Sequence, residues 1–184
     1  KNATRPERRL LADLRRGGYE ALLHKAVDPA WALDFGTFRK ADSFGATVVG
    51  ARPFLIAYNF TLSSKLQLND SKSIASLVRE SIGDLKGVRA IGWWMEGYRR
   101  AQVSCNLTDT FSVSAKELFD AVSAEAHRLG GTVEASELIG LIPAHGLRGF
   151  APLEDAVSYL KLDGHGAFDL KSRLLENLLN TLPS

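Results

Sequence analysis

The sequence predicts an α+β fold built on one four-stranded antiparallel sheet with two helices packed on the same face. The first observation is the order of patterns between residues 54 and 142, which is strand, helix, strand, strand, helix, strand. The second is a capping box at Ser114 and Glu117, which marks the start of the longer helix. The third is the pair of strand–helix–strand crossovers, because right-handed crossovers place both helices on one side of the sheet.

Composition bounds the class of protein before any motif is considered. The chain has 184 residues, 45% apolar and 24% charged, with a net charge of +2, which suits one globular domain or two small subdomains. This charge is too small and too dispersed to indicate a nucleic-acid or membrane surface, and no apolar run is long enough to cross a membrane. A single cysteine, Cys105, excludes a disulfide framework and a cysteine-rich zinc site, and it favours a reducing, cytoplasmic compartment. Because the sequence starts inside a helical pattern without an initiator Met, we expect it to be part of a longer protein.

Two helical patterns and a glycine-containing segment precede the sheet. The first pattern covers residues 6–16 and ends at a glycine pair, and the second covers 19–26. The arginines of the first pattern are interpreted as a solvated helix face rather than a phosphate clamp. Residues 34–52 carry repeated glycines without a helical or strand period, which predicts a long ordered loop.

The remaining patterns supply the sheet and its helices. They predict strands over 54–62, 88–95, 101–107 and 132–142, helices over 71–82 and 114–129, and two C-terminal helices over 153–160 and 170–179. This is the βαββαβ order of a ferredoxin-like sandwich with additional N-terminal and C-terminal helices.

The third strand predicts which residues face away from the helices. Its odd-numbered positions from Ala101 to Leu107 are apolar, whereas Gln102, Ser104 and Asn106 are polar. Successive side chains of a strand point to opposite faces, so the polar set lies on the face that the helices do not cover. Either solvent or a ligand groove would produce this pattern. Cys105 is predicted to be a small core residue.

The other motifs that could form a catalytic or binding site give only weak indications. The glycine-rich segment Gly45–Arg52 lacks the Lys-Ser/Thr pair of a phosphate loop, and the four histidines lack metal-ligand spacing, so we predict neither a nucleotide site nor a metal. RNA-binding domains share the ferredoxin-like topology, but their third strand carries stacking aromatic residues. Here that strand has none, and Trp93 and Trp94 cannot both face one side of the sheet. RNA binding is therefore the lower-ranked alternative, and nucleic acid and membrane are not expected partners.

Seven segments together resemble the glutamate formimidoyltransferase family, the formiminotransferase half of formiminotransferase-cyclodeaminase. The resemblance runs in order over most of residues 5–150. The segments are Arg5–Arg9, Leu14–Glu20, Trp31–Gly36, Gly45–Arg52, Phe54–Asn59, Ala101–Leu107 and the Ser-Glu-Leu-Ile-Gly-Leu-Ile-Pro stretch at 136–143.

The resemblance implies a domain organisation. The family domain has two ferredoxin-like subdomains with folate in a tunnel between them. By this resemblance, residues 1–33 are the helical end of the preceding N-terminal subdomain or a linker, 34–52 are a folate-binding loop, and 53–184 are the C-terminal subdomain with its terminal helices. The histidine that the family uses as general acid/base would lie in the part of the N-terminal subdomain outside this sequence, and none of the four histidines here matches it, so no catalytic residue is assigned.

The resemblance also implies the reaction and its partners. A family member transfers the formimidoyl group between N-formimidoyl-L-glutamate and tetrahydrofolate, its co-substrate, in histidine degradation and one-carbon metabolism. This chain would supply the folate-binding half and would be inactive without its N-terminal subdomain. The alternative outside enzymology is a stand-alone folate-binding or assembly module. An uncovered apolar part of the sheet face would also favour self-association, for example as a homodimer.

The folate-binding segment of the family corresponds to ten consecutive residues of this chain. Within it Arg39 and Lys40 are expected to pair with carboxylates and Phe44 to stack on a ring. Residues 80–85 are shorter than the loop that relatives carry there, so the resemblance does not extend to a ligand contact from that loop. The segment comprises Gly36, Thr37, Phe38, Arg39, Lys40, Ala41, Asp42, Ser43, Phe44 and Gly45, and the further candidates for substrate binding are Arg52, Asn59, Gln102, Ser104 and Asn106.

Overall fold

A computed structural model of the chain describes residues 5, 8, 10–25, 27–37, 46–79 and 85–181, with the backbone alone at residue 23. It separates into two compact units, Lys1–Arg52 and Pro53–Ser184. In the described part of the chain, no helix is both long and apolar enough to cross a membrane.

The described residues of the first unit include the short helices α1 (Leu11–Arg15) and α2 (Gly18–Lys25) and a 3₁₀ turn at Pro29–Trp31. Among the described residues α1 is shorter than the predicted helix over 6–16. The Lys25 ammonium group donates to the carbonyls of Asp13, Leu14 and Arg16, so it satisfies the carbonyl groups at the end of α1.

The expected solvated arginine face is wrong for Arg8. Its side chain is only 10% exposed and pairs with Asp34 at 2.9 Å, while it also donates to the carbonyls of Ala30 and Ala32. The guanidinium therefore holds the turn that follows α2. The described residues of the predicted loop, 34–37 and 46–52, contain neither helix nor strand.

The second unit is a four-stranded antiparallel sheet with the strand order β2-β3-β1-β4. This order confirms the ferredoxin-like fold. The helix α3 packs over β2 and β3, and α4 contacts β1 and β4. The elements are β1 (Ile56–Leu62), α3 (Leu68–Leu77), β2 (Val88–Met95), β3 (Arg100–Leu107), α4 (Ala115–Arg128) and β4 (Val133–Ile139).

Some boundaries differ from those predicted. Helix α3 begins at Leu68 rather than at residue 71, because Gln67 and Asp70 form a capping box that satisfies backbone groups one turn earlier. Strands β1 and β4 are shorter than the patterns at 54–62 and 132–142. The box predicted at Ser114 and Glu117 is confirmed at the start of α4.

The C-terminal region contains α5 (Asp155–Tyr159), α6 (Leu170–Arg173) and α7 (Leu175–Leu179). The sequence pattern predicts a continuous helix over 170–179, and this prediction is wrong at Leu174, which is extended. The interruption arises because this segment pairs with Ile142, whose amide donates to Arg173 and whose carbonyl accepts from Leu175.

The core lies between the sheet and its two helices. Cys105 is buried there as predicted, and burial raises the pKa of its thiol to about 12. Trp94 packs against the core, whereas Trp93 lies on the opposite face. Gly92 allows the close approach of α3, since a Cβ at this position would lie 2.2 Å from the backbone nitrogen of Lys72.

Candidate ligand-binding face of the sheet

The face of the sheet opposite the helices is arranged in three rows across the four strands. The pairing register fixes these rows, because directly paired residues of neighbouring strands point to the same side. We call this surface the open face. Its first row is Trp93, Gln102, Thr61 and Ala135, its middle row is Ile91, Ser104, Asn59 and Glu137, and its third row is Arg89, Asn106, Ala57 and Ile139.

The first row is held by a chain of side-chain hydrogen bonds. The Trp93 indole N–H donates to Gln102 Oε1 at 2.8 Å, and the Gln102 amide donates to Thr61 Oγ1 at 3.4 Å. Gln102 has no exposed surface, so its amide is used inside the protein although it points away from the helices as predicted. The Trp93 ring is 40% exposed and is oriented by this chain.

Residues beyond α5 reach the open face at its first row. A Cβ on Gly164 would lie 2.5 Å from Ala135 Cβ, which shows how closely this segment approaches the sheet. His165 Nε2 lies 3.0 Å from Thr61 Oγ1, and the Tyr98 ring stacks on the imidazole with centroids 4.4 Å apart. The first row is therefore a closed end of the surface.

The middle row leaves polar groups within reach of a ligand. Asn59, Ser104 and Glu137 are partly buried. Asn59 Nδ2 lies 3.5 Å from Glu137 Oε2, at the weak limit of a hydrogen bond. Ile91 is 62% exposed and extends the apolar side of this row.

The third row carries an exposed amide, Asn106, beside the exposed cation Arg89. Ile139 at the other end of the row is 49% exposed. The open face thus combines amide, hydroxyl and carboxylate groups with exposed apolar side chains. Such a surface suits a flat ring with hydrogen-bonding edges.

The structure separates the predicted site residues between the two units. Asn59, Ser104 and Asn106 share the open face, as the alternation of β3 indicated, together with the buried Gln102. Gly36, Thr37 and Arg52 are exposed in the first unit, where Gly36 has a φ of +79°. The predicted site residues Phe38, Arg39, Lys40, Ala41, Asp42, Ser43, Phe44 and Gly45 lie outside the described residues, as do residues 80–84 of the short loop.

Sequence reasoning missed two residues, Glu137 in the middle row of the open face and His165 against its first row. Glu137 could have been found, since the alternation of β4 places it with Ala135 and Ile139 on the side away from the core. His165 carried no usable signal, because its contact with Thr61 joins residues 104 positions apart.

A second polar cluster lies at the start of α4. His145 Nε2 is 2.8 Å from Thr110 Oγ1, and the Phe111 ring stacks on the imidazole with centroids 4.2 Å apart. Arg148 donates to the Thr110 carbonyl and pairs with Glu117 at 2.8 Å. Hydrogen bonds from the Ser114 backbone and hydroxyl, with a smaller effect of Arg148, lower the pKa of Glu117. These contacts tie the 3₁₀ turn Ala144–Leu147 to α4.

Across the described residues, no group of histidine, cysteine and acidic side chains has a metal-binding arrangement.

Comparison with known proteins gives one consistent family. The family described as "Formiminotransferase domain" matches residues 57–177, and "Formiminotransferase domain, N-terminal subdomain" matches residues 1–52. The glutamate formimidoyltransferase of Streptococcus pyogenes is 36% identical over 178 residues, which cover 97% of this chain and 56% of that protein. The formimidoyltransferase-cyclodeaminase of Mus musculus is 37% identical over 199 residues, covering 96% and 36% of the two chains.

An archaeal relative agrees with these two. The glutamate formimidoyltransferase of Thermoplasma acidophilum is 32% identical over 180 residues, which cover 97% of this chain and 57% of that protein. The chain therefore spans about half the length of the single-function relatives, and about a third of the length of the mouse protein.

Proposed function

We propose a function for this chain, which belongs to the formiminotransferase domain family. The protein takes part in the transfer of a formimidoyl group between N-formimidoyl-L-glutamate and tetrahydrofolate, in histidine degradation and one-carbon metabolism. The observation that carries this proposal is the family match, together with relatives named for this activity that align with nearly all of the chain. The two units would be parts of the two subdomains of such an enzyme.

The reaction defines what the protein must supply. The amidine carbon forms a bond to N5 of tetrahydrofolate, passes through a tetrahedral centre, and releases its bond to the glutamate nitrogen, which takes a proton as it leaves. Alignment of the two substrates and proton transfer to the leaving amine are the available sources of rate enhancement. We assign the alignment of the two substrates to this chain. The general acid/base would come from the portion of the N-terminal subdomain that the chain does not include, so the chain alone would bind without turnover.

The open face is the surface of the second unit that we assign to tetrahydrofolate. Its middle row supplies amide, hydroxyl and carboxylate groups of the kind that pair with a pterin ring. Its exposed side chains Trp93 and Ile91 supply apolar contact for the aromatic parts of folate. In the first unit, the segment from Gly36 to Gly45 and the exposed Arg52 stay predictions for folate and carboxylate binding.

Titration with 5-formyltetrahydrofolate tests the proposal. Trp93 is 40% exposed on the open face, so saturable quenching of tryptophan emission is expected, and free tryptophan controls for the inner-filter effect. The variant Trp93→Phe should lose most of the quenching while calorimetry still detects binding. The variants Arg39→Ala and Arg52→Ala test two of the predicted carboxylate partners in the same assay, and each should weaken binding. Calorimetry that detects no saturable heat would contradict a folate site on this chain.

Three further predictions accompany this function. They are a cytoplasmic location, a homodimer, and a reaction in which no metal takes part. The N-terminal subdomain is the expected partner of the second unit, and its match to residues 1–52 supports that pairing.

A further inference from the structure

We propose that Glu137 is the carboxylate that pairs with the donor edge of the pterin ring, formed by its 2-amino group and N3–H. This inference rests on the proposed function and adds the residue that would select a pterin. Glu137 lies at the β4 end of the middle row of the open face.

The first argument is the unsatisfied acceptor capacity of this carboxylate. Glu137 is partly buried, and within the described part of the chain its one hydrogen bond is the long contact of 3.5 Å from Asn59. No cation among the described residues forms an ion pair with it. A carboxylate that has lost part of its water without gaining strong donors is poorly satisfied. Two parallel N–H donors from a ligand would satisfy both oxygens.

The second argument is the contrast with a carboxylate on the same strand. Glu134 is three residues earlier in β4, is exposed, and pairs with Arg100 at 3.1 Å. It therefore already has a structural partner. Among the described residues, by contrast, no cation pairs with Glu137, the acidic residue of the open face.

The third argument is the fit of the neighbouring groups. The strands β2 and β4 are separated by three strand spacings, about 14 Å. A pterin and the aminobenzoyl ring that follows it in folate can together cover such a span. With the pterin edge at Glu137, the ring system would pass over Asn59 and Ser104 and approach Trp93. The Trp93 N–H is already bound to Gln102, so the indole offers its ring surface rather than its donor.

Binding measurements on two proteins with two ligands test the assignment of Glu137. Calorimetry compares the wild-type chain and Glu137→Gln with two ligands, 5-formyltetrahydrofolate and its 2-desamino-2-methyl analogue, which lacks the amino donor. Glu137→Gln should weaken binding of 5-formyltetrahydrofolate about ten- to a hundredfold, as expected for loss of a charge-assisted hydrogen-bond pair. The loss caused by Glu137→Gln should be clearly smaller for the analogue, because the analogue lacks the 2-amino donor and offers Glu137 only its N3–H. Glu134→Gln is the matched control and should bind both ligands as the wild type does.

Each outcome separates the inference from the function on which it rests. If the wild type binds 5-formyltetrahydrofolate and Glu137→Gln binds it equally well, the assignment of Glu137 is wrong and the proposed function stands. An equal loss for both ligands, with an unchanged unfolding midpoint, would likewise overturn recognition of the 2-amino group. Absence of saturable binding in the wild type would contradict the folate site itself, and the Glu137 assignment with it.

Discussion

The two faces of one sheet show opposite ways of using polar side chains. On the helix-covered face, Tyr58 and Ser136 are buried and bond to each other at 3.0 Å and to the Leu160 carbonyl. Burial raises the pKa of Tyr58, so its hydroxyl keeps its proton and donates. On the open face, Asn59 and Glu137 remain partly exposed and are joined only by a contact of 3.5 Å.

The contrast between the two faces indicates where a ligand can gain free energy. Polar groups of the covered face already satisfy each other, so a ligand there would have to replace existing hydrogen bonds. The amide, hydroxyl and carboxylate groups in the middle row of the open face keep capacity for new ones. The closed first row shows that the open face itself has a boundary, because Gln102 and Thr61 are as buried as core residues.

The largest expected difference in the free energy of unfolding is between a truncated aromatic residue of the core and a truncated aliphatic residue of the open face. Phe60 is fully buried, so Phe60→Ala should lower the free energy of unfolding by about 3–5 kcal/mol through lost burial and a cavity. Ile91 is 62% exposed, so Ile91→Ala should change it by about 0.5 kcal/mol or less. Urea unfolding followed by circular dichroism measures both. Equal losses would show that the open face is covered in solution.

The next effect tests how closely the covered face approaches its helix. In Gly92→Ala the new Cβ would overlap the backbone of α3 at Ser71 and Lys72, and the helix would have to move. Overpacking of this kind should cost about 1–3 kcal/mol or more. A Cβ added at Gly97 would meet only open space, so Gly97→Ala is the matched control and should be nearly neutral. Thermal unfolding compares the stabilities of the two variants. An unchanged midpoint for Gly92→Ala would contradict the packing described for α3.

The smallest effect concerns the start of the helix that contacts β1 and β4. Hydrogen bonds from Ser114 lower the pKa of Glu117 in the folded protein. The contribution to stability is therefore present above the unfolded pKa, about 4.3, and is lost as pH falls through the folded pKa. Glu117→Gln should cost about 0.5–1 kcal/mol at pH 7, and the difference from the wild type should shrink below pH 4.

Urea titrations at several pH values measure this dependence. Glu125→Gln is the control, because Glu125 lies near the other end of α4 and pairs with Arg128 on the surface. Its effect should be smaller, about 0.3 kcal/mol. A constant penalty for Glu117→Gln from pH 7 to pH 3 would show that its carboxylate charge is not what stabilises the start of α4.

Local patterns predicted most of the second unit. The alternation of β3 indicated that Cys105 faces the core and that Ser104 and Asn106 face away, and both predictions are confirmed. They succeeded because a strand alternates its side chains whatever its partners are. The C-terminal helix failed at Leu174, because its pairing with Ile142 depends on residues more than thirty positions earlier.

The order of elements, the face to which each residue of β3 points, and the family resemblance follow from the amino-acid sequence alone. The availability of the polar groups on the open face depends on tertiary contacts. The network that closes the first row joins residues distant in sequence, such as Thr61 and His165. Whether an amide is buried or accessible depends on what the rest of the chain lays over it, and alternation along a strand carries no information about that cover. For this reason Gln102, which the alternation of β3 placed among the candidate ligand groups, is internal, whereas Glu137 on the same face is partly exposed.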